Sequence, residues 1–267
     1  MRIGVSLTRW HQSSIWTAIV QAQLRVSVAE GSVDLISIAD DLSQAILDKA
    51  SDGRGTTLSL SEQIAKKLGE SIIDGRLQPG ARVLEQEVSQ QFEVSRGPVR
   101  EALRILENEG LVRILPRRGA QVTQLSVDEV RHIYEIRAVL LGLAARTVAR
   151  EGDEAAKQDL RNHADGLMEI ARGGETPERY LRAGFGMTLW LTKHSGNTRL
   201  LRLLHSLTLQ TRRYARAALA TREDCLQSAS LWQKLTQAIL DGREEDAEQL
   251  ARTVIQTALD RIVTYLG

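Results

Sequence analysis

The chain has 267 residues, 42% of them hydrophobic, which is long enough for two domains with a sizeable core. Its net charge of +1 is too small for a protein that holds polyanions by bulk charge. The single cysteine, Cys225, excludes an intrachain disulfide and a cysteine-cluster metal site, and no apolar run approaches the roughly 20 residues that span a bilayer.

Residues 2–20 are broken by Arg9, His11, Gln12, Ser13 and Ser14 and do not read as the apolar core of a signal peptide, so a reducing cytoplasm is the expected compartment. Residues 1–55 show modest apolar periodicity around Val33 to Leu47 and end in the loop-like run Ser51 to Thr57; they are expected to form a weakly ordered extension without assigned function. Leu60, Ile64, Leu68 and Ile72 then recur every four residues and predict a helix from Leu60 to Asp74, stopped by Gly75. Leu77-Gln78-Pro79-Gly80 is a turn signal before the short run Arg82-Val83-Leu84. A second helix, from about Glu85 to Phe92, presents Val88 and Phe92 inward and leaves Gln86 and Gln90 outward.

The next helix carries the functional signal. Arg96, Arg100 and Arg104 recur at i, i+4 and i+8 along one stripe, while Val99, Leu103 and Leu106 fall on the opposite face. Ser95 is an N-cap candidate, and Gly97 and Pro98 occupy the first turn, where amide groups lack intrahelical partners and proline costs little. Open amides and guanidinium forks pointing the same way suit a DNA major groove: both can hold phosphate, and arginine can bond bidentately to guanine. Arg104 lies deeper in the helix and suits a phosphate contact or solvent. Runs from Leu111 to Leu115 and Ala120 to Thr123 read as two strands around Pro116-Arg117-Arg118-Gly119, a basic turn whose glycine would let the tip approach a sugar-phosphate backbone. Between Arg96 and Arg118 six arginines face three glutamates, so the basic charge is local.

Residues Leu60 to Val122 resemble the DNA-binding domain of GntR-type bacterial transcription regulators. The resemblance rests on Ile72-Ile73-Asp74-Gly75-Arg76-Leu77-Gln78-Pro79-Gly80, Val94-Ser95-Arg96-Gly97-Pro98-Val99-Arg100-Glu101-Ala102-Leu103 and Glu109-Gly110-Leu111-Val112. It implies that Arg96 and Arg100 read the operator and that Gly119 lies at the minor groove. Gln86 stands where the family carries a further arginine, which leaves base preference at that position open.

From Ser126 the chain reads as almost wholly helical. Ser126-Val127-Asp128-Glu129 is a capping box opening a helix to about Glu151. Further helices are expected at about Asp153 to Arg172, Pro177 to Lys193, Thr198 to Ala220, Asp224 to Asp241 and Glu244 to Leu266, broken at Gly173-Gly174, Ser195-Gly196-Asn197, Thr221 and Gly242. Six such helices make a bundle, where ligand sites form from inward side chains. Val130-Arg131-His132-Ile133-Tyr134-Glu135-Ile136-Arg137, Ser195-Gly196-Asn197 and Ala238-Ile239-Leu240-Asp241-Gly242 resemble the FCD-type effector domain of one GntR subfamily.

Many such domains hold a divalent metal through one aspartate and three histidines. Counting from Ser195-Gly196-Asn197 and from Gly242, those positions are Gly184, Thr188, Trp232 and Val254, none of them a ligand of the required type, so no metal is expected. His132, His163, His194 and His205 do not rebuild the set. Trp190 and Trp232 read as packing residues that fill volume a metal site would occupy, with stacking of Trp232 on a ligand the alternative. Arg137 matches a pocket-facing arginine of the family, and Arg212, Arg213 and Tyr214 lie together on a later helix; a guanidinium inside a bundle calls for an anion or an internal carboxylate. Leu141, where the family has a glutamate, makes the pocket more apolar.

The expected fold is mainly α: an N-terminal extension (1–55), a winged helix-turn-helix DNA-binding domain (56–125) and an all-α helical bundle effector and dimerisation domain (126–267). The expected DNA contacts are Gln86, Ser95, Arg96, Pro98, Arg100, Arg104, Arg117, Arg118 and Gly119, and the expected effector contacts are Arg137, Arg212, Arg213, Tyr214 and Trp232. No cofactor is expected. No nucleophile-and-base arrangement, glycine-rich phosphate loop or metal cluster points to an enzyme. Two readings remain: a homodimeric repressor on an inverted-repeat DNA operator, responding to a small organic acid or other anionic metabolite, or a DNA-bound regulator whose helical domain has lost ligand sensing and serves as a protein-interaction module.

Overall fold

Ser59 accepts a hydrogen bond from the Glu62 amide at 3.3 Å and donates its own amide to the Glu62 carboxylate at 2.7 Å, a capping box that starts α1 (Leu60–Ile73). The computed structural model describes residues 58–174 and 176–266, so the expected extension over residues 1–55 lies outside the described residues. Ile64, Ala65, Leu68 and Ile72 form the buried stripe of α1. Leu60, read as its first member, is 47% exposed; the inward face begins one turn later.

The chain then lays down β1 (Arg82–Val83), α2 (Glu85–Gln91), α3 (Arg96–Asn108), β2 (Val112–Leu115) and β3 (Gly119–Val122). The sheet has order β1-β3-β2, all pairs antiparallel, with Arg82 opposite Gln121 and Val112 opposite Val122. One compact core holds these parts together: Val83, Val88, Val99, Leu103, Leu106, Leu111 and Val122 are all buried against α1. That core fixes α3 by its apolar side and leaves its arginine side to solvent, as the period of the sequence requires.

Six further helices follow: α4 (Val127–Glu151), α5 (Glu154–Gly173), α6 (Pro177–His194), α7 (Thr198–Ala218), α8 (Arg222–Leu240) and α9 (Glu244–Leu266). Most begin at a side-chain cap: Ser126 with Glu129, Asp153, Thr176 ahead of Pro177, Asn197, and Thr221 with Asp224. Each such cap contributes about 1 kcal/mol, which is why the polar breaks in the sequence locate the helix starts to within a residue or two. The α4 helix runs along α9, and α5 packs on α8. Gly142 permits the first of these approaches, since a Cβ there would lie 3.1 Å from Glu248 Cγ and 3.3 Å from the Arg252 side chain. The bundle core includes Tyr134, Leu141, Leu160, Leu167, Met187 and Leu235.

Trp190 is buried in this core, donates from Nε1 to Asp159 Oδ2 at 2.6 Å and stacks on the His194 ring at 3.7 Å. Its volume is therefore spent between α5 and α6, and the expectation that it fills space near the former metal positions is corrected.

Candidate DNA interface and effector cleft

The α2–α3 turn passes through Glu93, which adopts φ 54°, and delivers Ser95 as the N-cap of α3. Ser95 has N-cap backbone geometry, but its hydroxyl makes no capping bond, contrary to the capping role read from the sequence. The first-turn amides of Arg96 and Gly97 are thus uncapped by a side chain, and nothing lies within 4 Å of a Cβ built on Gly97. This end of α3 presents positive helix-dipole character into open space beside Pro98.

Arg96, Arg100 and Arg104 are all exposed along α3. Arg96 Nη2 reaches Gln86 Oε1 at 3.5 Å, so the outward residue of α2 and the first arginine of α3 meet over one surface. Arg100 Nε donates to Glu85 Oε2 at 2.8 Å, and Arg104 faces Glu101 at 3.4 Å. These are surface pairs worth at most about 1 kcal/mol each, weak enough for a phosphate or a guanine edge to displace.

In the β2–β3 hairpin Arg117 adopts φ 61° and Arg118 donates its amide to Leu115 O at 2.9 Å; both side chains are exposed. Gly119 has φ 77°, and a Cβ there would fall 2.4 Å from Val83 O. The glycine is required by the packing of β3 against β1. Besides the close approach to DNA expected of the hairpin tip, the fold itself thus excludes a side chain at this position.

In the helical part, one cleft of about 70 Å³ opens between α4, α6, α7, α8 and α9. Gly184, Thr188, Trp232 and Val254 all line it, so the four positions at which the FCD resemblance places metal ligands do converge in space. They bring no carboxylate or imidazole. Thr188 donates to Gly184 O at 3.4 Å, and the indole nitrogen of a tryptophan is a donor only, so this wall does not fit a divalent ion.

Arg137 lies on the same wall and is 4% exposed. Its Nη1 donates to Thr211 Oγ1 at 2.9 Å, its guanidinium carbon sits 4.4 Å from the Tyr134 ring centre, and its Nε is buried without a hydrogen-bond partner. Arg261, also on the cleft, differs: its Nε pairs with Asp224 at 3.3 Å and its other nitrogens bond Ala218 O, Asp224 O and Gln227. Tyr134, three residues before Arg137, was legible as a neighbour by helical spacing; Thr211 and Arg261 come from distant helices and gave no sequence signal.

The other expected effector residues separate. Arg212 lines a smaller adjoining pocket with His205, Thr208 and Phe185, and stacks over the Phe185 ring at 5.2 Å. Arg213 and Tyr214 line a different surface groove with Tyr265, so they do not join Arg137. Tyr214 instead accepts the Leu125 amide at 3.2 Å, tying α7 to the segment that leaves the wing. Leu209 packs on the core of the winged part, and Gln210 lies against Gly110, where a Cβ would come within 2.7 Å of it. One helix, α7, therefore holds Arg137 through Thr211 on one side and the winged part on the other. Glu109, half-buried at this seam beside Ser206, has its carboxyl raised above the usual range by burial.

His205 is buried beside Arg212, with neither ring nitrogen partnered. Burial, with the Arg212 charge second, pushes its pKa down to about 4 from an ordinary 6.5. The unfolded chain then binds the proton more tightly than the folded one. Stability should be indifferent to this group above about pH 6.5 and fall as pH drops toward 4, by up to about 3 kcal/mol. Urea unfolding of the protein and of His205→Gln at pH 7 and pH 4.5 checks this: the variant should lose less stability on acidification.

The gntR model of bacterial regulatory proteins matches residues 60–122, and the FCD domain model matches residues 132–257. The HTH-type transcriptional regulator YdhC of Bacillus subtilis (strain 168) is 32% identical over 142 residues, covering 53% of this chain and 63% of that protein. The gluconate operon transcriptional repressor of Bacillus licheniformis is 34% identical over 102 residues, 38% of this chain and 42% of that protein. The chain thus spans less than two thirds of the length of these relatives. The solved structure of Escherichia coli McbR/YncC superposes with a TM-score of 0.67 over 79% of this chain and all of that one, at 17% identity, a likeness of fold. With a winged helix carrying exposed arginines on α3, an α-helical bundle behind it, and family models matching both parts, the chain belongs to the GntR family of bacterial regulatory proteins and carries an FCD domain.

Proposed function

We propose that this chain is a sequence-specific transcriptional regulator of the cytoplasm, a repressor that binds double-stranded DNA as a homodimer and is controlled by a small anionic metabolite; it is read as a regulator and not as an enzyme. The observation that carries the reading is the surface of α3: Arg96 and Arg100 exposed on one stripe, above uncapped first-turn amides and beside the open space at Gly97. Gln86 and Ser95 border that surface, Pro98 begins it, and Arg104 extends it. Arg117 and Arg118 at the hairpin tip supply phosphate or minor-groove contacts. In solution Arg96 and Arg100 keep weak tethers to α2, which hold the side chains near their bound positions at little cost.

A two-fold dimer imposes an inverted repeat on its operator. The exposed ridge Ile136, Val139 and Leu143 on α4 suits such a dimer. Antiparallel pairing about an axis near Leu140 would set Ile136 against Leu143 and bring Glu135 toward Arg146. No helix among the described residues is long and apolar enough to cross a membrane, in keeping with a protein that works on DNA. The effector reading rests on Arg137, a buried guanidinium with no carboxylate partner among the described residues, on a cleft wall it shares with Trp232. A ligand there acts on DNA affinity only by its differential binding to the DNA-competent arrangement, and α7 touches both the cleft and the winged part.

Selection of bound duplexes from a randomised library at near-physiological salt tests the proposal. The expected result is a short enriched inverted repeat; binding that is uniform across sequences and vanishes with salt would overturn it.

A further inference from the structure

We propose that the effector of this chain is an apolar monocarboxylate of a few carbons, held by Arg137 without a metal ion. This rests on reading the cleft as the effector site and goes further by naming the ligand class and its mode of capture. A guanidinium is seldom left buried without an anion, because its desolvation must be offset by a charged or well-bonded partner. Arg137 has a threonine hydroxyl on Nη1 and an aromatic face at Tyr134, but its buried Nε has no partner, and no carboxylate pairs with it among the described residues. The other arginine of the cleft, Arg261, already has Asp224. One negative charge is thus missing from this wall.

The rest of the wall decides what carries that charge. Where the FCD resemblance places an aspartate and three histidines, this chain has Gly184, Thr188, Trp232 and Val254, so a carboxylate cannot be captured through a metal and must meet the guanidinium directly. Leu181, Phe185 and Leu231 extend the same surface. Tyr180, Thr188, Ser228 and Thr257 place a few hydroxyls among the apolar side chains, too few to meet every group of a polyhydroxy acid, and Arg261 is already paired with Asp224, so the further charges of a tricarboxylate would be buried without partners. A hydrocarbon tail loses nothing there and gains by leaving water. Size sets the last limit: the cleft measures about 70 Å³, whereas a buried cavity that takes up benzene is roughly 150 Å³. Butanoate has as many non-hydrogen atoms as benzene, so it fits only with its tail at the open mouth of the cleft or with a small outward shift of the half-buried Phe185, while benzoate requires a larger one.

The test is thermal unfolding of the full chain in excess EDTA with butanoate, benzoate, gluconate, citrate and, as an uncharged control, butanol. Butanoate is expected to raise the midpoint by about 5–10 °C at a hundredfold excess over its Kd, with benzoate weaker and the other three without effect. Arg137→Met is expected to fold and to lose the shift. Should that variant fail to fold, Trp232→Ala, which widens the cleft and leaves the guanidinium in place, is expected to invert the preference in favour of benzoate; an unchanged ranking counts against the site. If gluconate or citrate stabilises the protein through Arg137 in EDTA, the effector reading stands and the apolar class falls. If the shift requires added zinc or nickel, metal-free capture is overturned. If no acid of either kind shifts the midpoint, the effector reading falls and this proposal with it.

Discussion

Arg96→Ala is expected to weaken binding to the enriched operator about 10- to 100-fold and to flatten base preference at one position of each half-site. The side chain is exposed and approaches Gln86 at 3.5 Å, so its removal leaves the core of the winged part untouched and the unfolding midpoint unchanged. The effect therefore belongs to recognition. A bidentate arginine–guanine pair discriminates by about 1–3 kcal/mol, which sets the size of the loss. Arg104→Ala is the internal contrast: lying deeper along α3 and facing Glu101, it should weaken all sequences alike and reduce the salt slope by about one unit. Fluorescence anisotropy with the operator and single-base variants, over a range of salt, separates the two. A variant at Arg96 with unaltered base preference would overturn its assignment as a base-reading residue.

Gly119→Ala is expected to destabilise the winged part by more than about 2 kcal/mol and to abolish specific DNA binding as a secondary result. Two costs add. The residue sits at φ 77°, where a side chain costs roughly 1–2 kcal/mol. The new Cβ would also lie 2.4 Å from Val83 O and 3.3 Å from Leu84 Cα, and backbone atoms cannot swing away as a flexible side chain can. Relief requires β3 to move off β1, opening the pairs Arg82–Gln121 and Val83–Ala120. Hydrogen exchange read by mass spectrometry checks this, with faster exchange expected over residues 82–84 and 119–122 and unchanged exchange in α4–α9. Full protection with DNA affinity alone reduced would mean that the glycine serves the DNA and not the sheet.

Much of the architecture was legible because it is encoded locally. The caps at Ser126, Thr176, Asn197 and Thr221 satisfy amides within their own first turns, so helix starts could be read without knowing any partner. The stripe Val99, Leu103 and Leu106 and the arginines opposite it follow from helical period alone. Leu60 shows the limit of that logic: it keeps the period of α1, yet whether a helix end reaches the core depends on where the other elements stop.

The site was legible in part. Gly184, Thr188, Trp232 and Val254, up to 70 positions apart in the numbering, were grouped by family spacing, and the bundle brings them to one wall. Arg212, Arg213 and Tyr214 are adjacent in sequence, but successive helical residues point about 100° apart, so they serve a small pocket, a surface groove and the interdomain seam.

Helix starts, polar and apolar faces, the basic stripe of α3 and the lack of metal-ligating residue types at the family positions follow from residue identity and a period of a few residues, and so are readable without a fold. Three-dimensional packing is what leaves Arg137 with Thr211, 74 residues away, and with no carboxylate among the described residues, sets Gly119 against Val83, and joins the cleft to the winged part through α7. Those contacts arise only when distant helices and strands pack, and burial then turns an ordinary arginine into one that needs an anion.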